Sequence, residues 1–424
     1  MKKWLTVLMK RYTRLMVVGI TVLLFGVMAV VVSTAEAGKP TIKHYGIVDL
    51  TGPYGILVPD LWEAMLDYYR LVNEQGGIDG YPVDLIWGET GNMMARTWSH
   101  YKKYKQSGAQ LLWLASSPDG EALKSTLVKD KIFCTLNYGQ SDPQLYPPAW
   151  TYIDGPSYGE GFGAFLKMAK AKWDKAGKKG TMKVGIIGPD TAYGRAALKP
   201  GQRFGKKIGV DVVGQEFVPV VPIDLTPQIL RLKKKGVDWI WVQGLSQIAT
   251  VFMKNMASLG LQGKIPVAGF WWVSGAEMLR RIGPNFSEGY IFNSYNYLPQ
   301  VEKNHPGIKK CVQMRRKYHK KDPDEYCVRG VRAAQFVIEL TRRTLKKYGY
   351  NGLTGQNYMS TMKTFKNWKT PWDLGAPFDI TPNDRRTAKK MLFYQVKKGK
   401  IVRYSDWIDA PHLYPPDMEK YFKK

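Results

Sequence analysis

A chain of 424 residues is longer than one ordinary hydrophobic core supports, so two lobes are expected. Its 63 Lys and Arg stand against 35 Asp and Glu, a formal net charge of +28 that would suggest a nucleic-acid partner in the cytosol. The cations fall in short scattered runs such as "KAGKKGTMK" and "RRKYHKK", the pattern of solvated helix faces, with attraction to an anionic membrane surface or acidic solutes as the weaker reading.

The first element is an address. Lys2, Lys3, Lys10, Arg11 and Arg14 precede an apolar run from Leu15 to Val32, and Ala35 and Ala37 follow at the Ala-x-Ala spacing a signal peptidase reads. This predicts a signal peptide over residues 1–37, cleaved after Ala37, and a soluble monomer in the periplasm. The run is also long enough to span a bilayer, so an uncleaved anchor is the alternative. No cysteine stands at the end of the run to carry a lipid. Export removes the case for nucleic acid.

From residue 43 onward strand and helix patterns alternate. "HYGIVDL" has strand length, and Asp60 with Glu63 can form an N-terminal cap pair for the helix that follows. That helix shows Trp62, Met65, Leu66, Tyr69 and Val72 at helical spacing and stops at Gly76-Gly77. Then come "YPVDLIW", a helix over 93–105, "QLLWLA", a helix after Ser116-Ser117-Pro118, and "KIFCTL". This βαβαβαβ order demands a parallel sheet covered by helices on both faces. A helix over 158–176 restarts the pattern, which runs through "MKVGII", "VDVVGQEFV", "VDWIWV", "IPVAG" and "GYIFN" as a second parallel sheet. The chain then reads as mostly helical to Lys366, and "MLFYQVKKGKIVRY" reads as a hairpin turning at Lys398-Gly399. The fold class is therefore α/β, with two doubly wound parallel-sheet lobes.

Cys134 in "KIFCT" reads as a buried core thiol. Export permits a Cys311–Cys327 disulfide, but the stagger of their two predicted helices sets the Cα atoms beyond about 7 Å, so free thiols are expected.

Enzyme chemistry needs a nucleophile with a base, a metal cluster or a cofactor cradle. The five histidines, His44, His100, His305, His319 and His412, form no His-x-x-x-His pair and have no zinc spacing to cysteine. No Gly-x-Ser-x-Gly elbow or phosphate-binding loop is present, and the glycines of "GEGFGAF" fall in a helix start, where they read as close packing. A binding protein with no cofactor and no metal is the expectation, with unrecognised chemistry as its rival.

Open parallel sheets bind ligands beyond the C-terminal ends of their strands. That rule selects Thr51 to Tyr54, Ser116-Ser117 and Asn137 to Ser141 in the first lobe. In the second it selects Pro189 to Gly194, Gly244-Leu245-Ser246 and "GFWWVSG". These loops are rich in hydroxyls, glycines and aromatic rings. Ser116 or Ser117 is an ordinary N-cap before Pro118, and the same helix start also favours a ligand carboxylate.

"IVDLTGPYG", "NEQGGIDGYPVDLI", the serines after the third strand, "GPDTAYGRAAL", "VDWIWVQG" and "APFDITPNDRRTAKKMLFYQVKKGKIV" together resemble, in that order, the type I periplasmic binding proteins of ABC importers. The leucine/isoleucine/valine-binding branch is the nearest in pattern, and the likeness spans nearly all of the chain after the leader. It implies three crossovers near Asp154, Asn293 and Phe378. Lobe one is then 38–154 with 294–377, and lobe two 155–293 with 378–424. It further implies that Ser116 or Ser117, with Gly139 and Ser141, holds a ligand carboxylate, that Tyr54 lines the side-chain pocket, and that Tyr193 closes from lobe two. Tyr138 and Gln140 flank this set. Leu245 or Ser246 stands where the family often has an aromatic ring. Trp271 stands where an acid would receive an amino acid's ammonium group. The expected ligand is a small carboxylate, amino-acid-like or an aromatic or branched aliphatic acid, delivered to an ABC permease in the inner membrane. A sensor for a membrane receptor is the alternative within the same fold. Trp271 is expected to wall the cleft and Trp272 to pack into lobe two.

Overall fold

The computed structural model describes residues 38–55, 57–381 and 383–421. The expected signal peptide lies outside the described residues. The first sheet contains β1 (Ile42–Val48), β2 (Val83–Glu89), β3 (Leu111–Leu114), β4 (Phe133–Asn137) and β5 (Thr151–Ile153). All pairings are parallel, in the order β2-β1-β3-β4-β5. Helices α1 (Val58–Glu74), α2 (Met94–Gln106), α3 (Ser117–Asp130) and the short α4 (Asp142–Leu145) supply the crossovers. With both faces covered, the strands carry unbroken apolar runs, and Leu111 to Leu114 are all buried. β5, three residues long, carries no readable period.

The second sheet contains β6 (Met182–Pro189), β7 (Val210–Val218), β8 (Trp239–Val242), β9 (Val267–Gly269) and β10 (Ile291–Ser294), all parallel. It is nevertheless mixed. β11 (Lys390–Lys397) pairs antiparallel with β10 and with β12 (Lys400–Arg403), giving the order β12-β11-β10-β9-β8-β6-β7. Lys398 and Gly399, at φ 52° and 68°, make the two-residue turn, which can only join antiparallel strands. A short β13 (Ile408–Asp409) also pairs with β11. The chain passes between the sheets three times: after β5, after β10 and before β11.

In order, the remaining helices are α5 (Tyr158–Lys175), α6 (Ala192–Arg195), α7 (Leu198–Lys207), α8 (Thr226–Lys234), α9 (Ser246–Ser258), α10 (Gly275–Ile282), α11 (Pro306–His319), α12 (Glu325–Tyr348) and α13 (Gly355–Met362). None of the described helices is long and apolar enough to cross a membrane. α12 lies tightly on α1, since a Cβ on Gly330 would sit 2.0 Å from the Leu61 carbonyl oxygen. The long helical segment after β10 is thereby anchored on the first sheet's layer. α11 joins it through Arg315, whose buried guanidinium reaches Asp60 at 3.4 Å, Glu63 at 2.5 Å and Asp67 at 2.7 Å. This corrects the reading of Asp60 and Glu63 as a cap pair. α1 starts at Leu57 with no side-chain cap, and both acids point to a cation some 250 positions away in the chain.

α5 opens with a capping box, Ser157 and Glu160 each bonding the other's backbone N–H. The glycines of "GEGFGAF" are close contacts: Gly159 meets Pro200, Gly161 meets Phe270 and Gly163 meets Pro411. All three cysteines are free and buried.

Candidate ligand-binding cleft

The loops at the C-terminal ends of both sets of strands meet one another. After β1, Asp49 is buried and its carboxylate accepts from Gly52 N (2.7 Å) and Tyr54 N (3.3 Å), which folds the turn back. Glu89 pins the same loop by accepting from the Leu50, Thr51 and Gly91 backbone N–H groups. Tyr54 is thereby held partly buried against the core, and burial, with Tyr158, Asp49 and Asp119 nearby, pushes its phenol well above the usual range.

After β3, Ser116 is the N-cap of α3, its hydroxyl accepting from Asp119 N at 3.2 Å. Ser117 is left facing the Tyr158 hydroxyl at 3.5 Å. After β4, Gly139 packs against that helix start. A Cβ on Gly139 would lie 2.0 Å from Ser117 N and 2.3 Å from Ser116 C, both backbone atoms that cannot swing away. Gly139→Ala is therefore expected to destabilise by about 1–3 kcal/mol and to weaken ligand binding, measured by chemical denaturation and calorimetry. Unchanged stability would show that the two loops are not packed as described.

Two of the donors expected to hold a carboxylate have partners within the first lobe. The Gly139 N–H donates to Asn137 Oδ1 at 2.7 Å, and Ser141 Oγ donates to Glu121 Oε1 at 2.5 Å. A short polar turn before α4 folds onto itself, so these donors are engaged within the first lobe. Tyr138 also turns inward, its hydroxyl donating to the Arg329 carbonyl at 2.9 Å and its ring meeting Trp113 edge-on. Ser246 donates to Glu277 at 2.8 Å, and Leu245 is buried in the core. Tyr193 donates to the Gly244 carbonyl at 2.9 Å, while its ring meets Tyr158 at 4.7 Å.

Gln140 and Trp271 form the direct bridge. Trp271 Nε1 donates to Gln140 Oε1 at 2.9 Å, and Gln140 Nε2 donates to the Asp154 carbonyl where the chain first leaves the first sheet. β9 ends at Gly269, so Trp271 and Trp272 lie in a turn and not on alternating faces of a strand. Both are buried, at 0% and 3% exposure, with ring centroids 3.8 Å apart. The expectation that Trp272 packs into the second lobe is thus corrected. It stacks with Tyr326 of α12 at 6.4 Å, and Tyr326 donates to its carbonyl at 3.2 Å.

Three contributors escaped the sequence reading. Tyr158 stands at the first turn of α5, a helix start that the strand-end rule does not cover, although its capping box is visible. Tyr326 and Arg329 come from the start of a helix whose register against the second sheet has no local signature. Arg329 is fully buried, with its guanidinium 4.0 Å over the Trp271 ring. Among the described residues no group of three or more His, Cys, Asp or Glu could hold a metal ion. The arrangement gathers aromatic rings with few polar contacts where the two sets of strand-end loops meet.

Comparison with known proteins agrees with this architecture. A sequence profile described as periplasmic binding protein matches residues 46–400. A Leu/Ile/Val-binding protein homolog 7 from Brucella abortus (strain 2308) is 20% identical over 222 residues, 52% of this chain and 54% of that protein. The match thus spans about half the length of this relative. A Thermus thermophilus branched chain amino acid ABC transporter protein with bound valine superposes with TM-score 0.77 at 18% identity, covering 90% of this chain and 99% of the other. A fatty acid ABC transporter substrate-binding protein from Thermomonospora curvata gives 0.75 at 22% identity, covering 89% and 95%. The chain belongs to the periplasmic binding protein family, with the two-lobed α/β architecture of its type I members.

Proposed function

We propose that this protein is the extracytoplasmic solute receptor of an ABC importer, exported by its first 37 residues, and that it binds a small carboxylate between two lobes and delivers it to an inner-membrane permease. The lobes are 38–154 with 294–377, and 155–293 with 378–424, closing by hinge motion at the three chain passages. The observation that carries the reading is the meeting of both sets of strand-end loops at Gln140 and Trp271, walled by Tyr54, Tyr158, Tyr193 and Trp272. The names of the solved relatives, one holding valine and one a fatty acid receptor, support an acid-bearing ligand.

Trp271 at the place of an ammonium-accepting acid selects against amino acids. A buried ammonium without a carboxylate partner costs several kcal/mol, and a desolvated cation–π contact returns only about 2 kcal/mol. A micromolar ligand corresponds to about −8 kcal/mol, so that loss moves leucine towards millimolar. Calorimetry with leucine against 4-methylpentanoate, and phenylalanine against 3-phenylpropanoate, is expected to favour the deaminated member of each pair. Saturating acid at one hundred times its Kd should add about 2.7 kcal/mol of stability, and small-angle scattering should show a smaller radius. Micromolar leucine with no binding of its deaminated partner rules out the role given to Trp271. Stabilisation without compaction rules out the hinge.

A further inference from the structure

We propose that Arg329 is the counter-ion of the ligand's anionic group, so that the cleft selects a monoanion through a guanidinium and not through the serine and glycine donors alone. This rests on the reading of the cleft as the binding site. Among the described residues four arginines are at most 4% exposed: Arg315, Arg329, Arg332 and Arg386. Arg315 faces three carboxylates, Arg332 pairs with Asp154 at 2.8 Å, and Arg386 pairs with Glu160 and Asp384 at 3.2 and 2.8 Å. Arg329 alone of the four has no acid within ion-pair distance. Its Nε is buried without a partner, as are those of Arg315 and Arg332, so the missing carboxylate is what sets it apart.

Its position is between the lobes. Arg329 extends from α12, on the first sheet's side, and its guanidinium reaches across to the turn after β9. Nη1 donates to the Trp271 carbonyl at 3.1 Å and Nη2 to Ser274 Oγ at a long 3.3 Å. The Trp271 ring at 4.0 Å and the Tyr326 ring at 5.1 Å complete its surroundings. These dipoles and ring faces offset part of the charge, and Asp324 and Glu325 act on it only from beyond ion-pair distance.

The acids one turn away are engaged elsewhere. Asp324 Oδ1 caps Cys327 N at 2.8 Å, and Glu325 Oε2 accepts from Ala276 N and Gln300 Nε2, each at 3.2 Å. Burial pushes Glu325 up to about 8 and Asp324 up to about 6, and neither carboxylate comes within ion-pair distance of Arg329. With Gly139 N and Ser141 Oγ bonded to Asn137 and Glu121, an incoming carboxylate lacks most of the neutral donors expected for it. A guanidinium fork matches a carboxylate in two hydrogen bonds.

The test measures binding of 4-methylpentanoate and of its neutral isostere 4-methylpentanamide to the leaderless protein by calorimetry, for wild type, R329Q and R329K. Wild type should prefer the acid by about 100-fold, and R329Q should lose about 100-fold for the acid while the amide changes little. R329K, which keeps the charge without the planar fork, should fall between them. Equal loss for acid and amide in R329Q assigns Arg329 a structural role and overturns the proposal. So does a wild-type preference for the acid below about tenfold, a result that needs no variant to fold. Failure of the cleft reading looks different: the acid then binds without compaction, or no acid binds to wild type at all.

Discussion

Replacing Asp154 by alanine is expected to cost about 3–5 kcal/mol of stability, because it strands a buried cation. Asp154 is 0% exposed and sits where the chain first leaves the first sheet. Its carboxylate accepts from Arg332 Nη1 at 2.8 Å, the Tyr295 hydroxyl at 3.2 Å and Thr387 Oγ1 at 3.3 Å. Tyr295 follows β10 and Thr387 precedes β11, so this one side chain ties together all three passages between the sheets. Arg332 extends the knot, donating to the Ala376 carbonyl at 2.8 Å and lying 4.0 Å over Phe378. Arg332→Ala should cost a similar amount by leaving the carboxylate unpaired. Replacing both partners together by apolar residues of matched volume should recover most of the loss, since desolvating the pair nearly cancels its attraction. Guanidinium denaturation of the two single variants and the double variant reads the coupling directly. Single variants within 1 kcal/mol of wild type, a cost typical of exposed pairs, would mean that the knot is not buried in solution.

Most of the framework was legible because it depends on local pattern. The apolar runs of β1, β3, β4 and β8, the glycines after α1, the Ser116 cap and the Lys398-Gly399 turn each act within a few residues of themselves. What was not legible has one cause. Asp60 and Glu63 look like a helix cap until Arg315 arrives from far along the chain, and no local pattern shows that Asn137 and Glu121 bond to Gly139 and Ser141. The strand-end rule placed "GFWWVSG" in a loop, but nothing in it shows that Trp272 meets Tyr326 from more than fifty positions further along the chain. Arg329 is the clearest case. The sequence around it, "EYCVRGVRAAQ", reads as an amphipathic helix in which any arginine is by default solvated. Only the packing of α12 on α1, made close by Gly330, turns that arginine away from water and towards the second lobe.

That packing also carries Glu325 to the second lobe, and closure is therefore expected to take up a proton. Glu325 is 1% exposed, and its Oε2 accepts the Ala276 N–H at the start of α10, while Oε1 is buried with no hydrogen-bond partner. Gly275 makes this approach possible, since a Cβ there would lie 1.8 Å from the Glu325 carboxyl carbon, and its φ of +69° favours glycine as well. Burial first, then the neighbouring Asp324, raises the Glu325 carboxyl from 4.5 to about 8, and Arg329 only partly opposes this. When the lobes separate, Glu325 regains water and its ordinary acidity. The raised value belongs to the closed form, so this contribution to closure is complete below 4.5 and is lost as pH rises through about 8. Ligand affinity should accordingly weaken by up to about tenfold per pH unit between pH 5.5 and 7.5, a window above the titration of a simple carboxylate ligand. Calorimetry in two buffers of different ionisation enthalpy at pH 6.5 should show uptake of about one proton per ligand bound. Glu325→Gln keeps the Ala276 contact without a titrating group, and it should abolish the uptake and flatten the profile. Binding that is independent of pH across this window in the wild-type protein would place Glu325 in the same surroundings before and after closure, and the contact with Ala276 would then be a fixed joint between the lobes.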